Sequence, residues 1–269
     1  MRAVVVLAGD IRDDKGALAW IDHAGWIVCA DGGARHLRRL GRLPDLLVGD
    51  LDSAHLEDVA WMIQNDVPLD KFSMAKDATD SELAIQAALD HLDHLDHLDH
   101  LDHHAVYPDH LAGLPESSIP AGARISHELV ILGAFGSRPD HVLANQLLAA
   151  KLAGLGWRLI LTDGISRLHT LAGGQTLHVE LPEAPSPAGR SDRPGVWAFS
   201  IVPVTTEITG LTYHSGLVWP LADATLTLGT SRAVSNRFIE ARQKDGKLVF
   251  QATVSLESGI ALVIVTPED

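Results

Sequence analysis

Over residues 1–165, short apolar runs alternate with amphipathic stretches of helical period, and this alternation narrows the possible folds more than any other feature. Residues 3–8, 26–30, 46–48, 129–132 and 158–161 read as buried strands. Residues 34–40, 54–64, 81–89 and 140–152 read as helices. Strands alternating with helices give a parallel sheet with crossover helices, so an N-terminal Rossmann-like α/β domain is expected. Ligands of such sheets sit outside the carboxyl ends of the strands, so function is sought in the loops that follow strands.

From about residue 166 the period changes. Short strand-like segments at 175–180, 197–202, 225–228, 248–254 and 260–265 are separated by Gly, Pro and Asp turns, which predicts an all-β sandwich over 166–269. Residues 181–195, rich in Pro, Gly, Ser and charge, read as a loop between two of those strands.

Composition excludes several classes. With 46% hydrophobic and 21% charged residues the chain is globular, and its 269 residues bury a core without staples. Cys29 is the sole cysteine, so there is neither a disulfide framework nor a cysteine zinc site, which suits a reducing cytosol. The apolar run at 3–8 is too short for a signal segment or a membrane span, and neither export nor embedding is expected. A net charge of −14, from 21 Lys+Arg against 35 Asp+Glu, speaks against nucleic acid as a partner. A protein this acidic that handles a polyphosphate must bring metal cations.

Residues 90–102 repeat Asp-His-Leu and run on into His103-His104. His and Asp are metal ligands, but a period of three turns about 60° around a helix per repeat, so neither leucines nor histidines form a straight stripe. The tract reads as an expansion lengthening a helix end or a surface loop, an insertion over about 90–123.

Four clusters carry chemistry, each after a predicted strand. In Asp31-Gly32-Gly33-Ala34-Arg35, two glycines before a helix let the backbone approach a phosphate, although such turns are also common as structure. In Asp50-Leu51-Asp52-Ser53, a chain extended past Gly49 points both carboxylates to one side, a hard-oxygen seat for Mg²⁺; helix capping accounts for one of them, not the pair. In the third cluster, residues 76–82, Thr79 with Glu82 fits a capping box and Asp80 a first helical turn. Lys76 and Asp77 are left over, able to hold a phosphate and a metal. In the fourth, residues 133–145, Pro139 suits the first helical position and Arg138 offers a planar fork for phosphate oxygens. Asp140 opens the helix, and His141 and Asn145 stand four apart. A surface salt bridge between Arg138 and Asp140 is the alternative.

The ordered set DGGA, PDLLVGDLDS, KDATDSEL and GSRPDHVLAN resembles the thiamine pyrophosphokinase family, with fainter late signatures at Gly216-Leu217-Val218-Trp219-Pro220-Leu221 and Val234-Ser235-Asn236. Arg35 stands where the family commonly has Asn, and Ser137 where it often has Gly. The resemblance implies an ATP-binding catalytic α/β domain over 1–165, a thiamine-binding β-sandwich over 166–269, and a cytoplasmic homodimer with thiamine near the subunit interface. It implies Asp50, Asp52, Asp77 and Asp140 as Mg²⁺ ligands, with Asp80, Arg138 and His141 close to the phosphates. Asp31, Gly32, Gly33, Lys76 and Asn145 fall on its nucleotide side, and Ser235 and Asn236 on its thiamine side. Thiamine is a cation with two aromatic rings, so Trp219 is a candidate face, with a core or interface tryptophan as the alternative.

The reaction expected is attack of the thiamine hydroxyl on the β-phosphorus of ATP, with AMP leaving. The competing readings are the same machinery with another hydroxylated acceptor, a metal-binding protein built on the Asp-His-Leu tract, and a nucleotide sensor without turnover.

Overall fold

The structure, a computed structural model, describes residues 1–52, 54–71, 79–102, 127–185, 195–239, 242–244 and 246–268. The chain divides into two compact units: residues 1–148 with 155–164, and residues 149–154 with 165–269.

Among the described residues the first unit holds six parallel strands, β1 (Arg2–Val6), β2 (Trp26–Ala30), β3 (Leu46–Gly49), β4 (Leu69–Lys71), β5 (Glu128–Leu132) and β6 (Arg158–Thr162). Their order is β6-β5-β1-β2-β3-β4, every neighbouring pair parallel. The chain runs outward from β1 to β4 and returns to the other side of β1 at β5. That reversal puts a topological switch point at the carboxyl ends of β1 and β5. Ala3, Val4, Val5 and Val6 are fully buried, as β-branched residues are in a strand covered on both faces.

Among the described residues, five helices connect the strands: α1 (Asp14–Ile21), α2 (Ala34–Leu40), α3 (Leu56–Gln64), α4 (Asp80–Asp102) and α5 (Pro139–Gly154). Asp13 caps α1 by accepting from the Lys15 and Gly16 amides. Left-handed Gly41 (φ 64) ends α2, its amide bonding the Arg38 carbonyl at 3.1 Å. Helix α1, whose apolar residues form one unbroken run at 17–21, and strand β4, only three residues long, show no clear period in the sequence.

Helix α4 runs through the Asp-His-Leu tract, so over 90–102 the tract lengthens a helix and is not a surface loop. Its first repeat is built into the core: Leu92 is fully buried and the His91 ring stacks on Trp26 with centroids 4.0 Å apart. The rest of the expected insertion, from 103 to 123, lies outside the described residues.

The second unit is antiparallel. Its strands are β7 (Arg167–Ala172), β8 (Thr176–Pro182), β9 (Trp197–Pro203), β10 (Glu207–Ser215), β11 (Ala224–Thr227), β12 (Asn236–Arg237), β13 (Arg242–Lys244), β14 (Lys247–Ser255) and β15 (Ile260–Pro267). One layer runs β12-β9-β15-β7 and the other β11-β10-β14-β13, with β8 also on β14. Phe199, Ile201, Val263 and Val265 from the first layer share one core with Leu211, Tyr213, Ala252 and Val254 from the second, which makes this unit a sandwich. Within residues 181–195, expected as a loop, strand β8 extends to Pro182, and 186–194 lie outside the described residues.

Candidate active site

The carboxyl ends of β2 and β3 bring three carboxylates together. Oxygens of Asp31, Asp50 and Asp52 all lie within 4.8 Å of one another. Asp31 follows β2 in a single 3-10 turn, Asp31–Gly33, and is fully buried. Gly49, at φ 149, passes so close that a Cβ there would stand 2.8 Å from the Asp31 Cβ. A side chain at 49 would push Asp31 out of the cluster.

The chain does not stay extended past Gly49, as the sequence suggests. Leu51 adopts a left-handed conformation (φ 71) and the Asp52 amide donates to Asp50 Oδ1 at 3.1 Å. The two carboxylates meet through this tight Asx turn, not through strand alternation. A non-glycine residue at positive φ is strained, and its place beside converging acids fits a functional loop. The capping alternative for Asp52 is not met, because α3 starts after His55 with no side-chain cap. Ser53 lies outside the described residues.

Like charges set the electrostatics. The carboxyl of Asp52 is pushed up, first by the charge of Asp50 and then by burial. Asp80, at the start of α4, is pushed up by burial and by the charges of Asp50, Asp31 and Asp52, which places it in the same field. Thr79 caps α4, its hydroxyl accepting from the Glu82 amide at 3.3 Å. Lys76 and Asp77 lie outside the described residues. The set is all oxygen donors, with no His or Cys among the three, and fits a hard cation such as Mg²⁺.

Arg138 and Asp140, after β5, form a bidentate pair, Nε to Oδ1 at 3.0 Å and Nη2 to Oδ2 at 2.7 Å, with both side chains mostly exposed. The guanidinium holds the Asp140 carboxyl well below the usual range. Asp140 is not one of the three clustered acids. His141 is exposed, whereas Asn145 is buried and donates to the Ala134 carbonyl at 3.3 Å, fastening α5 to the loop after β5. The two do not share one environment. Gly33 meets a structural need, since a Cβ there would collide with the Val6 carbonyl of β1; Gly32 is half-buried beside it.

A group the sequence reading passed over stands on the loop after β1. Gly9 donates to the Gly133 carbonyl at 2.9 Å and Asp10 to the Phe135 carbonyl at 2.5 Å, joining the loops after β1 and β5 at the switch point. His36 Nε2–H donates to the Gly9 carbonyl at 2.7 Å, and Arg35 donates to the Ala8 carbonyl. Burial pushes the His36 ring below its ordinary pKa, keeping it neutral. Asp10, Ile11, Arg12, Arg35, His36 and Arg39 line a pocket of about 440 Å³. The available signal was Gly9-Asp10 itself, whose aspartate follows β1 as Asp31 follows β2 and Asp50 follows β3.

In the second unit, Trp219 is 56% exposed while Asn236 is buried beneath it. Ser235 is exposed and left-handed (φ 61), its amide held by Ser200 Oγ at 2.9 Å. The structure thus brings Trp219, Ser235 and Asn236 together.

Two family models match the chain: "Thiamin pyrophosphokinase, catalytic domain" over residues 18–161, and "Thiamin pyrophosphokinase, vitamin B1 binding domain" over residues 194–260. A search of curated proteins finds no match. Among solved structures, thiamine pyrophosphokinase from Bacillus subtilis is similar at 20% identity and TM-score 0.69, covering 99% of each chain. The enzyme from Candida albicans gives 17% and 0.66 over 98% of this chain and 90% of that one. The yeast enzyme gives 18% and 0.65 over 99% and 86%. At such identities the likeness is one of fold.

Proposed function

Because the chain belongs to the thiamin pyrophosphokinase family, and so pyrophosphorylates thiamine, we propose that its donor is ATP, bound with Mg²⁺ on the first unit. The observation that carries this is the convergence of Asp31, Asp50 and Asp52 within 4.8 Å at the strand ends where such folds bind ligands. Three carboxylates beside a triphosphate repel it unless a cation lies between them. Asp31, Asp50 and Asp52 would hold that cation, with Asp77 and Asp140 as further ligands. Mg²⁺ supplies charge neutralisation on the transferring phosphoryl oxygens.

The rest falls to the chain's own groups. Arg138 sits in an exposed pair that contributes little, so its fork can exchange Asp140 for phosphate oxygens. Lys76 and His141 are proposed on the phosphate side with it. The exposed Trp219 face suits the aromatic, cationic thiamine, with Ser235 and Asn236 supporting it. We further propose a homodimer in a reducing cytoplasm, supported by the family resemblance and by a single, buried thiol at Cys29.

The test is incubation with ATP, Mg²⁺ and thiamine, following AMP and thiamine diphosphate together. Both products in equal amounts, abolished by EDTA, are expected. AMP without the thiamine product would move the reading to another acceptor, and no turnover at any Mg²⁺ concentration would overturn it.

A further inference from the structure

The pocket between the loop after β1 and helix α2 has a composition unusual for this acidic protein. Its wall carries three guanidinium groups, from Arg12, Arg35 and Arg39, with one carboxylate, Asp10, around the apolar side chain of Ile11. Two of the three are matched by carboxylates. Arg12 bonds the buried Asp163 at 2.6 Å, and Arg39 pairs with Asp14. Those bonds fix the groups in place and offset their charge. Arg35 differs: its hydrogen bonds go to the Ala8 and Gly9 carbonyl oxygens, neither of them anionic. His36 stays neutral and adds no charge. Arg35 is therefore the wall's one guanidinium, among the described residues, with bonds only to neutral groups. Its planar fork has five N–H donors, more than these bonds use.

Position decides what it would meet. Arg35 stands four residues after Asp31, in the first turn of the helix that follows the Asp31–Gly33 turn. The pocket opens at the switch point, on the loop after β1. The loop after β1 and the turn carrying Asp31 after β2 follow neighbouring strands, which lie about 4.8 Å apart, a step within the length of a triphosphate.

We propose that this pocket receives the adenylate part of the donor, with Arg35 on the α-phosphate; this rests on ATP being the donor. In the transfer, the thiamine oxygen forms a bond to the β-phosphorus. The bond from that phosphorus to the α,β-bridging oxygen breaks, its electron pair stays on that oxygen, and AMP departs while the hydroxyl proton is released. Negative charge thus grows on the α-phosphate, where Arg35 offers a counter-charge that strengthens as the bond breaks. The planar Arg12 and Arg39 groups and Ile11 suit the flat, weakly polar base and its ribose.

The test separates this from the reading it rests on. Binding of AMP alone is measured in EDTA for the wild type and for Arg35→Asn and Arg35→Lys. Losing a charge-assisted hydrogen bond predicts AMP affinity weaker by about tenfold or more in Arg35→Asn, with the thiamine KM unchanged. Arg35→Lys keeps the charge without the fork and falls between. Should the variants fold poorly, phenylglyoxal modification of the wild type gives the same answer: AMP shields Arg35 but not Arg158, at the opposite end of the sheet. Unchanged AMP affinity in Arg35→Asn, or equal modification of Arg35 with and without AMP, overturns the assignment even if the enzyme makes thiamine diphosphate. An enzyme that makes none would overturn the ATP reading instead, whatever AMP does at Arg35.

Discussion

Asn236 grips Trp219 by its main chain in both directions, Oδ1 accepting from the Trp219 amide at 3.1 Å and Nδ2 donating to its carbonyl at 2.8 Å. The same Oδ1 also accepts from the Arg237 amide at 2.8 Å. A buried amide side chain thus fixes the backbone beneath a tryptophan that itself stays exposed. A large exposed ring on a rigid base is how a protein presents a binding face rather than a packing one.

If Trp219 meets the thiamine rings, Trp219→Ala raises the thiamine KM by about three- to thirtyfold, the range of a cation–π contact, and leaves the ATP KM unchanged. Asn236→Ala leaves the Trp219 amide and carbonyl to find other partners, so it raises the same KM and also lowers the melting temperature. Steady-state kinetics with each substrate varied in turn checks both. An equal rise in the two KM values would return Trp219 to an interface role.

The carboxylate cluster predicts a stability signature that needs no turnover. Without metal, Asp31, Asp50 and Asp52 repel one another, which is why the Asp52 carboxyl is pushed up. Mg²⁺ binding to the folded chain then raises the melting temperature by mass action. Asp50→Asn and Asp52→Asn are each expected to melt no lower than wild type in EDTA and to lose most of the Mg²⁺-induced rise. The raised Asp52 carboxyl holds its proton to higher pH than an ordinary aspartate, so Mg²⁺ binding weakens as pH falls through that carboxyl's range. Differential scanning fluorimetry across Mg²⁺ and pH series reads all three outcomes.

What the sequence disclosed follows from where the physics is local. Trp26–Ala30 and Ala34–Leu40 were delimited to the residue, because a buried parallel strand and a capped helix each write their period into consecutive residues. The pairing of Asp50 with Asp52 was legible too, but for the wrong reason. Side-chain alternation suggested it, whereas the left-handed Leu51 and the Asx turn produce it, and a leucine gives no sign of positive φ. Asp31 was legible only as part of a glycine turn. Its place in the acid cluster depends on β2 and β3 being neighbours, which is a matter of sheet order. The same holds for Leu92 and His91, which look like members of a uniform repeat; the one is set apart by its burial and the other by the Trp26 ring it stacks on.

Gly9 makes a sharper case for the joined loops. A Cβ there would collide with the carbonyl oxygens of Phe135 and Gly133, both backbone atoms of the loop after β5. Backbone cannot swing aside as a side chain can, so Gly9→Ala must part the two loops and shift the segment carrying Arg138. We expect it to lower the melting temperature and to cut kcat by about a hundredfold, in line with a roughly 1 Å misplacement of catalytic groups. Gly41→Ala is the control: nothing lies within 4 Å of a Cβ there, so it costs only the strain of a left-handed residue at a helix end.

His169 in the sandwich links pH to stability independently of the active site. It is buried on β7 opposite Val263, its Nε2 has no hydrogen-bond partner, and burial, helped by the charge of Arg167, pushes its pKa down to about 3. The unfolded chain takes up a proton near 6.5, as an ordinary imidazole does, while the folded chain refuses it until about 3. Between those values the unfolded state binds more protons, so stability falls as pH falls; the contribution is fully present above 6.5. At about 1.4 kcal/mol per pH unit, lowering the pH from 6.5 to about 4 removes on the order of 3 kcal/mol. His169→Leu takes this titration away, so its urea midpoint should decline less than that of wild type across the same window. Parallel acid profiles for the two proteins would mean that the His169 ring is protonated in the folded state after all.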